Sequence, residues 1–418
     1  MSNAPAAALA LPARLIALVF VPFAAGFFLS FMFRNANAVI SKDLATEFSL
    51  SASELGLLTS AYFLAFATMQ IPVGIFLDRY GPRRVTAGLL LVLAAGAATF
   101  AFAGGTASLA FGRALIGVGA SACLMGSMKA YSMWFPLERM ATLNGWTMAI
   151  GALGAVTATA PMEFVASLIG WRAMFGCLAV LTVAVAASLF LLVPDKTVAG
   201  ATERWGEQIG KIIAIFSVPA FWRIGIPMIV LQGTYQALFG LWLVPWLMDT
   251  QDLSRSAAAQ WLMWTALTYA AASVFFGQGA DRLARHGVQR LTLLKAGAVL
   301  AVAAFFGLAY AAVPKLPLLL AYSFGAVGPV LCYAILSRHF PVAVTGRLNT
   351  ALNILMFVWA TAVQTGTGML LRLFPADSGR YPAEGYALAF MILGLVQLAA
   401  WMLVATVKKE PAAYAGPA

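Results

Sequence analysis

Long apolar runs recur along almost the whole chain, and they constrain its fold more than any other feature of the sequence. A helix needs about 20 consecutive apolar residues to cross the hydrocarbon core of a bilayer. Hydrophobic residues fill 62% of the 418 positions and charged residues only 10%, whereas ordinary soluble domains are about 25% charged. A water-soluble fold has too little interior to cover that much apolar surface, so we expect lipid to be the solvent.

Apolar runs bounded by charges, Gly and Pro predict twelve membrane spans and an all-α integral membrane protein. The spans lie near 15–40, 54–76, 86–105, 108–134, 141–169, 173–193, 220–247, 257–279, 292–313, 316–339, 347–373 and 387–407. The longest polar interval, 195–219, falls close to the middle of the chain. We therefore predict two six-helix bundles, 1–194 and 220–418, joined by a cytoplasmic linker at 195–219. Part of this linker, around 205–215, is expected to lie on the membrane as an amphipathic helix.

The basic residues account for the net charge of +11 without a nucleic-acid partner, because they sit in the short gaps between apolar runs. One set of alternate gaps holds most of them, including Arg79, Arg83 and Arg282, and the other set holds few. Since Lys and Arg favour cytoplasmic loops, we expect both termini in the cytoplasm and the protein in a bacterial inner membrane. The N-terminal region lacks the pattern of a removable signal peptide, so the first span is expected to be retained.

Two sequence motifs occur once in each half of the chain. The segment 74–79, Gly-Ile-Phe-Leu-Asp-Arg, matches 277–282, Gly-Gln-Gly-Ala-Asp-Arg, at an offset of 203, and Phe-Pro at 135–136 matches Phe-Pro at 340–341 at an offset of 205. Two matches at nearly one offset indicate parallel repeats related by an axis along the membrane normal. Such repeats give the bundles pseudo-two-fold symmetry and predict a substrate site between them near the bilayer midplane.

The segment 74–84, Gly-Ile-Phe-Leu-Asp-Arg-Tyr-Gly-Pro-Arg-Arg, resembles the signature between the second and third helices of the major facilitator superfamily. Gly112-Arg113 followed by Gly117 and Gly119 is similar to that family's fourth-helix motif. The resemblance implies a transporter whose halves rock about one site. It also implies a conformational switch at Gly74, Asp78, Arg79, Gly81, Arg83, Arg113, Gly277, Asp281 and Arg282.

Physical reasons support parts of this switch. Gly74 would let two helices approach closely, and Asp78 could face a helix N-terminus or pair with an arginine. An arginine such as Arg113 is costly inside a membrane and therefore usually has a purpose. The alternative is that Arg113 snorkels to the outer interface.

In the first span, 33–37 reads Phe-Arg-Asn-Ala-Asn and looks like the organic-anion branches of the superfamily, the anion:cation symporters and organophosphate antiporters. The resemblance implies that Arg34 helps to bind the substrate anion; the alternative is an anchor at the outer interface. The seventh span lacks the central arginine of the organophosphate antiporters. The segment 151–154, Gly-Ala-Leu-Gly, lacks the proline of the drug:proton antiporters.

Polar or aromatic side chains inside spans are the expected substrate contacts, because amides and phenols can line a wet cavity. They are Arg34, Asn37, Tyr62, Lys129, Gln232, Tyr235, Gln236, Trp242, Tyr333, Asn353 and Gln364. Lys129 could instead snorkel to the cytoplasm, and Trp242 could belong to the interfacial aromatic belt.

Glu163 is the acidic residue that falls well inside a span, and it is the candidate for ion coupling, because a proton-coupled carrier needs a carboxylate with a shifted pKa. The alternative for Glu163 is pairing with an outer-loop cation. Cations without matching anions in the membrane favour a negatively charged organic solute with an apolar part.

The expected function is uptake of a small organic anion by a monomeric symporter coupled to protons or sodium, although the sequence is also compatible with anion exchange. Export of a drug, metabolite or siderophore by antiport is the competing function, and a transporter-like sensor is a third. An enzyme is not expected, and neither is a cofactor or metal, because His286, His339 and the three cysteines form no zinc or nucleophile motif.

Overall fold

The computed structural model describes residues 13–136, 139–196, 210, 213–310, 314–340, 342–376 and 380–410. These residues form helices, which we number in chain order. They are α1 (Ala13–Asn35), α2 (Asn37–Glu47), α3 (Ala52–Thr68), α4 (Gln70–Ala101), α5 (Thr106–Trp134), α6 (Met140–Thr157), α7 (Ala160–Leu192), α8 (Pro219–Thr250), α9 (Arg255–Val274, continued by Phe275–Gly279 and Ala280–Arg285), α10 (Arg290–Tyr310), α11 (Lys315–His339), α12 (Val342–Leu371) and α13 (Ala383–Ala405).

Two long helices each contain one glycine with a left-handed backbone. Gly81 in α4 has φ 80° and Gly170 in α7 has φ 78°, a region that residues with a Cβ rarely adopt. Each of these elements is therefore two helices that meet at a glycine. The first part of α4 continues the span begun by α3, and the first part of α7 continues the span begun by α6.

The thirteen helices of the described residues account for the twelve predicted spans, because α2 continues the first span, which begins with α1. Within the described residues, nine helices are long and apolar enough to cross a membrane. The helices α3, α6 and α9, which are shorter or more polar, complete the twelve spans. The expected all-helical, twelve-span membrane fold is confirmed. The interval 195–219 lies largely outside the described residues, so the bounds of the halves and the amphipathic helix near 205–215 stay predictions.

Glycines hold the two halves together along α3 and α12. A Cβ on Gly56 would lie 2.6 Å from the carbonyl oxygen of Gln364, and a Cβ on Gly368 would lie 2.3 Å from the carbonyl oxygen of Ala52. Since real Cβ contacts are longer than this, only glycine permits these backbones to touch. The hydroxyls of Ser60 and Thr365 lie 3.1 Å apart in the same contact.

The end of the molecule where the described chain begins at Ala13 and ends at Glu410 is called the terminal face here, and the other end is called the opposite face. A Cβ on Gly74 or Gly277, near the terminal face, would meet nothing within 4 Å. Among the described residues, no helix makes the close approach expected at Gly74 in this conformation. The close backbone contacts of α3 and α12 lie instead at the start of α3 and the end of α12, toward the opposite face.

Arg172 clamps helix ends at the opposite face. It donates to Glu47 Oε1 from Nη2 at 2.6 Å and to the carbonyl oxygens of Ala101 and Ala103 at 2.9 Å. The hydrogen bond from Arg172 holds the pKa of the Glu47 carboxyl below its ordinary value, and partial burial opposes the shift. Arg172, at the start of the second part of α7, therefore fixes the end of α2 against the C-terminal end of α4.

Replacing Gly117 by alanine tests the close packing of α5 on α3. A Cβ at this position would lie 2.3 Å from the carbonyl oxygen of Tyr62, so a backbone must shift, and overpacking of this kind costs about 1–3 kcal/mol. We expect Gly117→Ala to lower the apparent melting temperature of the detergent-solubilised protein.

The matched control is Gly88→Ala, since Gly88 lies inside α4 and a Cβ there would meet open space. Alanine favours a helix by about 0.5–1 kcal/mol over glycine, so the control should melt at the same temperature or higher. Equal melting temperatures for both variants would contradict the packing described.

Candidate functional site

Arg34 lies in the last turn of α1 and is 6% exposed. Its Nε donates to the hydroxyl of Tyr62 at 3.4 Å. Three aromatic rings surround its guanidinium carbon, with centroid distances of 4.5 Å for Phe31, 5.3 Å for Phe66 and 5.1 Å for Phe357. Phe31 shares a helix face with Arg34 because residues three apart are neighbours on a helix, whereas Phe357 comes from the other half. The cation is held by aromatic groups from both halves.

The two terminal nitrogens of Arg34 are the unused part of this side chain. Among the described residues, no group accepts a hydrogen bond from either nitrogen, and neither is a fully enclosed atom. A guanidinium presents these two N–H groups as a fork that matches the two oxygens of a carboxylate or another oxyanion. The arrangement can therefore bind an anion without breaking an existing ion pair.

Arg113 lies on the other side of Tyr62. It is 1% exposed, donates to the carbonyl oxygen of Phe33 at 2.9 Å, and has its guanidinium 5.1 Å from the centroid of the Tyr62 ring. Its Nε is buried without a partner among the described residues. Arg113 is thus an interior residue next to Arg34 and does not snorkel to the interface. The buried guanidinium groups of Arg34 and Arg113 therefore both contact the phenol side chain of Tyr62.

The carboxylates of the described residues lie elsewhere. Apart from the exposed Glu384, those whose side chains are described are engaged with cations, hydroxyls or backbone N–H groups at the two faces, as in Glu47 with Arg172, Asp195 with Arg84 and Asp252 with Arg380. The groups in contact with Arg34 and Arg113 are rings, a phenol and a carbonyl. The centre of the protein therefore carries positive charge that neutral groups solvate.

The second half contains a polar aromatic wall formed by α8 and α9. The ring of Tyr235 on α8 stacks on Tyr269 of α9 at 4.6 Å and 16°. The Tyr269 hydroxyl donates to Oε1 of Gln232 at 3.0 Å, and Nε2 of Gln232 donates to the carbonyl oxygen of Ala326 at 2.7 Å. Tyr269 is half-buried.

Helix α8 is irregular where it lines this wall. It contains π-helical turns at Met228–Gln232 and Leu238–Trp242, on either side of Gly233–Ala237. Such turns re-aim side chains and are frequent at functional sites. They bracket the segment that carries Tyr235, which is buried, and Gln236, which is half-buried.

The remaining expected substrate contacts take part in the protein's own packing. Asn37 donates to the Thr59 hydroxyl at 3.3 Å, and the Tyr333 hydroxyl and Asn353 Oδ1 are 2.9 Å apart. Trp242 donates to the Gln364 carbonyl oxygen at 3.0 Å from a fully buried position, so it is no member of an interfacial belt. Gln364 in turn donates to the Ala237 carbonyl oxygen at 3.2 Å.

Lys129 lies away from the central arginines. Its ammonium forms an ion pair with Asp78, in which the lysine side chain is 23% exposed and the aspartate 41%. Both groups belong to the first half. Asp78 is therefore held by a lysine of its own half in this conformation, and its ion pair does not bridge the halves among the residues that the structure describes.

The rest of the expected switch motif lies at the terminal face. Arg83 and Arg84 reach Asp195 at 3.8 and 2.8 Å, and Arg79 stacks on Tyr80. Arg282 is exposed, and the Asp281 side chain lies outside the described residues. The switch motif thus contributes contacts within the first half here.

At the opposite face, charged residues join the two halves. Lys42 pairs with Asp249 at 2.6 Å, and Asp43 pairs with Arg255 at 2.7 Å. Glu163 lies 3.7 Å from Nε of the same Arg255. These five residues, called the charge clasp, supply both signs from the first half and both signs from the second. The ion pairs that the structure describes between the halves are those of the clasp.

Asp249 is the most enclosed member of the charge clasp, with a fully buried side chain. Besides Lys42, it accepts hydrogen bonds from the Tyr386 hydroxyl at 2.8 Å and the Tyr381 N–H at 3.2 Å. It therefore ties α2 of the first half to α8 and α13 of the second. These contacts close the opposite face, whereas a Cβ on Gly74 or Gly277 near the terminal face would meet nothing within 4 Å.

Several of these residues were not among those predicted from sequence. Phe31 could have been found from its helical spacing to Arg34, and Tyr269 is a polar aromatic in the eighth predicted span, like Tyr235 in the seventh. Phe357 and the partners in the charge clasp carry no local signal, because each meets its partner across the two halves.

Comparisons with known proteins agree with this architecture. Over 128 residues the chain is 28% identical to the probable sulfoacetate transporter SauU of Cupriavidus necator, covering 31% of this chain and 30% of that protein. Over 119 residues it is 29% identical to the nitrate/nitrite transporter NrtP of Picosynechococcus, covering 28% and 22%. The matched region thus spans less than a third of each relative's length.

A solved structure matches almost the whole chain. A bacterial homologue of the human lysosomal transporter Spinster, in an inward-facing and unoccupied conformation, superposes with a TM-score of 0.79 at 16% identity, covering 98% of this chain and 100% of that one. The family model of the Major Facilitator Superfamily matches residues 23–365. The chain therefore belongs to the Major Facilitator Superfamily and is a multi-pass membrane transporter.

Proposed function

We propose that this transporter carries a small organic anion by alternating access, as a monomer in a bacterial inner membrane with both termini in the cytoplasm. The observation that carries the proposal is Arg34, a central cation whose terminal nitrogens are free of the described residues while its neighbours are rings and a phenol. A charge in this position is costly unless something pairs with it. A substrate anion supplies that partner.

The surroundings of Arg34 favour an anion with an apolar part. Phe31, Phe66 and Phe357 offer apolar contacts, and the wall formed by Tyr235 and Tyr269 offers stacking and hydroxyl groups. The relatives' names support an oxyanion, since sulfoacetate and nitrate both present oxygen atoms that a guanidinium can hold bidentately.

Access in this conformation is from the terminal face. The charge clasp and the backbone contacts of α3 with α12 close the opposite face. To admit substrate from the other side, the halves must break the clasp and approach each other near Gly74 and Gly277, where a Cβ now meets open space. We infer that Asp78 then exchanges Lys129 for a partner in the second half.

Two residues expected at the substrate or coupling site take other roles in this proposal. Lys129 holds Asp78 while the terminal face is open. Glu163 adds a negative charge beside Arg255 and helps to close the opposite face. The substrate contacts that remain are Arg34, Tyr62 and Tyr269, with Arg113 setting the positive potential around them.

Replacing Arg34 tests the anion site. A hydrogen bond to a charged group contributes about 1.5–3 kcal/mol, so we expect Arg34→Ala to weaken anion binding at least about tenfold. Arg34→Lys should recover only part of the affinity, because an ammonium is a point charge and lacks the fork. Binding is measured as the rise in melting temperature across a titration of carboxylates and sulfonates.

The matched control is Arg380→Ala, which removes an arginine from an exposed ion pair with Asp252 at the opposite face. This variant should keep the wild-type affinity. An Arg34→Ala protein that shows the full thermal shift would refute Arg34 as the anion contact.

Charge reversal tests the clasp as the closure of the opposite face. We expect Lys42→Asp or Asp249→Lys to open that face, because each places two like charges where a buried pair stood. The double variant restores opposite charges and should close the face again. A cysteine at Asn353, with Cys123, Cys177 and Cys332 replaced by alanine, reports opening by its labelling with an impermeant maleimide in oriented vesicles.

The control for this measurement is Arg380→Asp, which disrupts an ion pair at the same face but within the second half. It should leave labelling from that side at the wild-type level. If both single reversals also leave the labelling unchanged, the clasp does not close the protein.

A further inference from the structure

We propose that the transporter is an anion exchanger, which carries one anion in each direction and does not return empty. This proposal rests on the proposed function above. This differs from the proton or sodium symport expected from sequence. The second anion has the same chemistry as the first, an oxyanion that pairs with Arg34.

The first observation is the charge of the empty site. Arg34 and Arg113 lie on either side of Tyr62, and the described groups that they contact are a phenol hydroxyl, a backbone carbonyl and aromatic rings, all uncharged. Neutral groups orient a guanidinium but do not cancel its charge. The empty site therefore holds two positive charges at the centre of the membrane-embedded bundle.

The second observation is where the negative charges are. Asp43, Asp249 and Glu163 are used in the charge clasp, and Asp78 is used by Lys129. Asp195 and Asp252 pair with arginines at the faces. Within the described residues, each of these acids already has a cation other than Arg34 and Arg113. None of them is placed to pair with the empty site.

The excess of positive charge affects the step in which the halves close around the site. In this conformation neither terminal nitrogen of Arg34 is fully enclosed. To change sides, the halves must close around the site, and a charge removed from water without a partner is strongly disfavoured. A bound anion removes that penalty, so the loaded form changes sides more easily than the empty one.

The consequence is a constraint on the transport cycle. After one anion leaves, the site stays open to that side of the membrane until another anion binds. A carrier with a carboxylate beside Arg34 could fill the gap by internal pairing and return empty, coupled to a proton. Exchange of anions of equal charge moves no net charge and needs no coupling ion.

The experiment uses the purified full-length protein in liposomes, with radiolabelled benzenesulfonate as the probe. This anion is permanently charged, so it cannot carry its own proton. Uptake is compared between liposomes loaded with unlabelled benzenesulfonate and liposomes loaded with a neutral sugar, each with and without an inward proton or sodium gradient. We expect the loaded liposomes to take up label at least about tenfold faster, with no acceleration by either gradient.

Two results would overturn the inference in different ways. Uptake into anion-free liposomes at the rate of the loaded ones would refute exchange and leave the anion carrier standing. Absence of uptake in every arm would refute the proposed function itself, and exchange with it. The two failures are distinguishable because only the second lacks transport altogether.

A matched pair of variants tests the physical cause. Phe31 lies 4.5 Å from the guanidinium carbon of Arg34 and is half-buried, so Phe31→Glu supplies a counter-charge and Phe31→Gln supplies the same shape without charge. We expect the ratio of net uptake to exchange to be higher in the Glu variant than in the Gln variant. Equal ratios in two active variants would show that site charge does not prevent the empty return.

Discussion

Keeping a guanidinium group inside a membrane protein requires partners, and the arrangement around Arg34 and Arg113 follows from that requirement. Tyr62 serves both residues, one through its hydroxyl and one through its ring. Gly117 allows α5 to approach the Tyr62 backbone, so that Arg113 reaches the Phe33 carbonyl. The small residues of the fourth-span motif thus position a charge, and the charge makes the centre receptive to an anion.

The two faces differ in the contacts that their charged residues make. At the opposite face, five charged side chains and two pairs of touching backbones join them. At the terminal face, Asp78 and Lys129 pair within one half. Ion pairs suit a contact that must form and break, because water can solvate both partners once they separate, whereas exposed apolar surface would resist separation.

The fold was predictable from sequence because span length, loop charge and the repeated motifs are local properties of the chain. Arg34 could be chosen as a candidate site residue for the same reason, because an arginine beside asparagines in an apolar run can be recognised from the sequence alone. The position of Phe357 beside Arg34 was not predictable, since Phe357 approaches from the second half. The partner of Lys129 depends on the conformation, and Glu163 lies beside an outer cation, Arg255, as one of its two sequence interpretations expected.

The two halves share a fold but contribute different kinds of side chain to the site. The first half supplies both buried arginines, and the second half supplies phenols, an amide and a ring. In the proposed transport cycle, an anion held by Arg34 would be attracted mainly to one half, and the neutral wall of the other could move past it without separating opposite charges. Because the strong electrostatic contact stays within one rigid half, the rocking motion rearranges only weaker contacts around the bound anion. In the proposed cycle, this asymmetry would let one site bind its anion firmly and still open to either side.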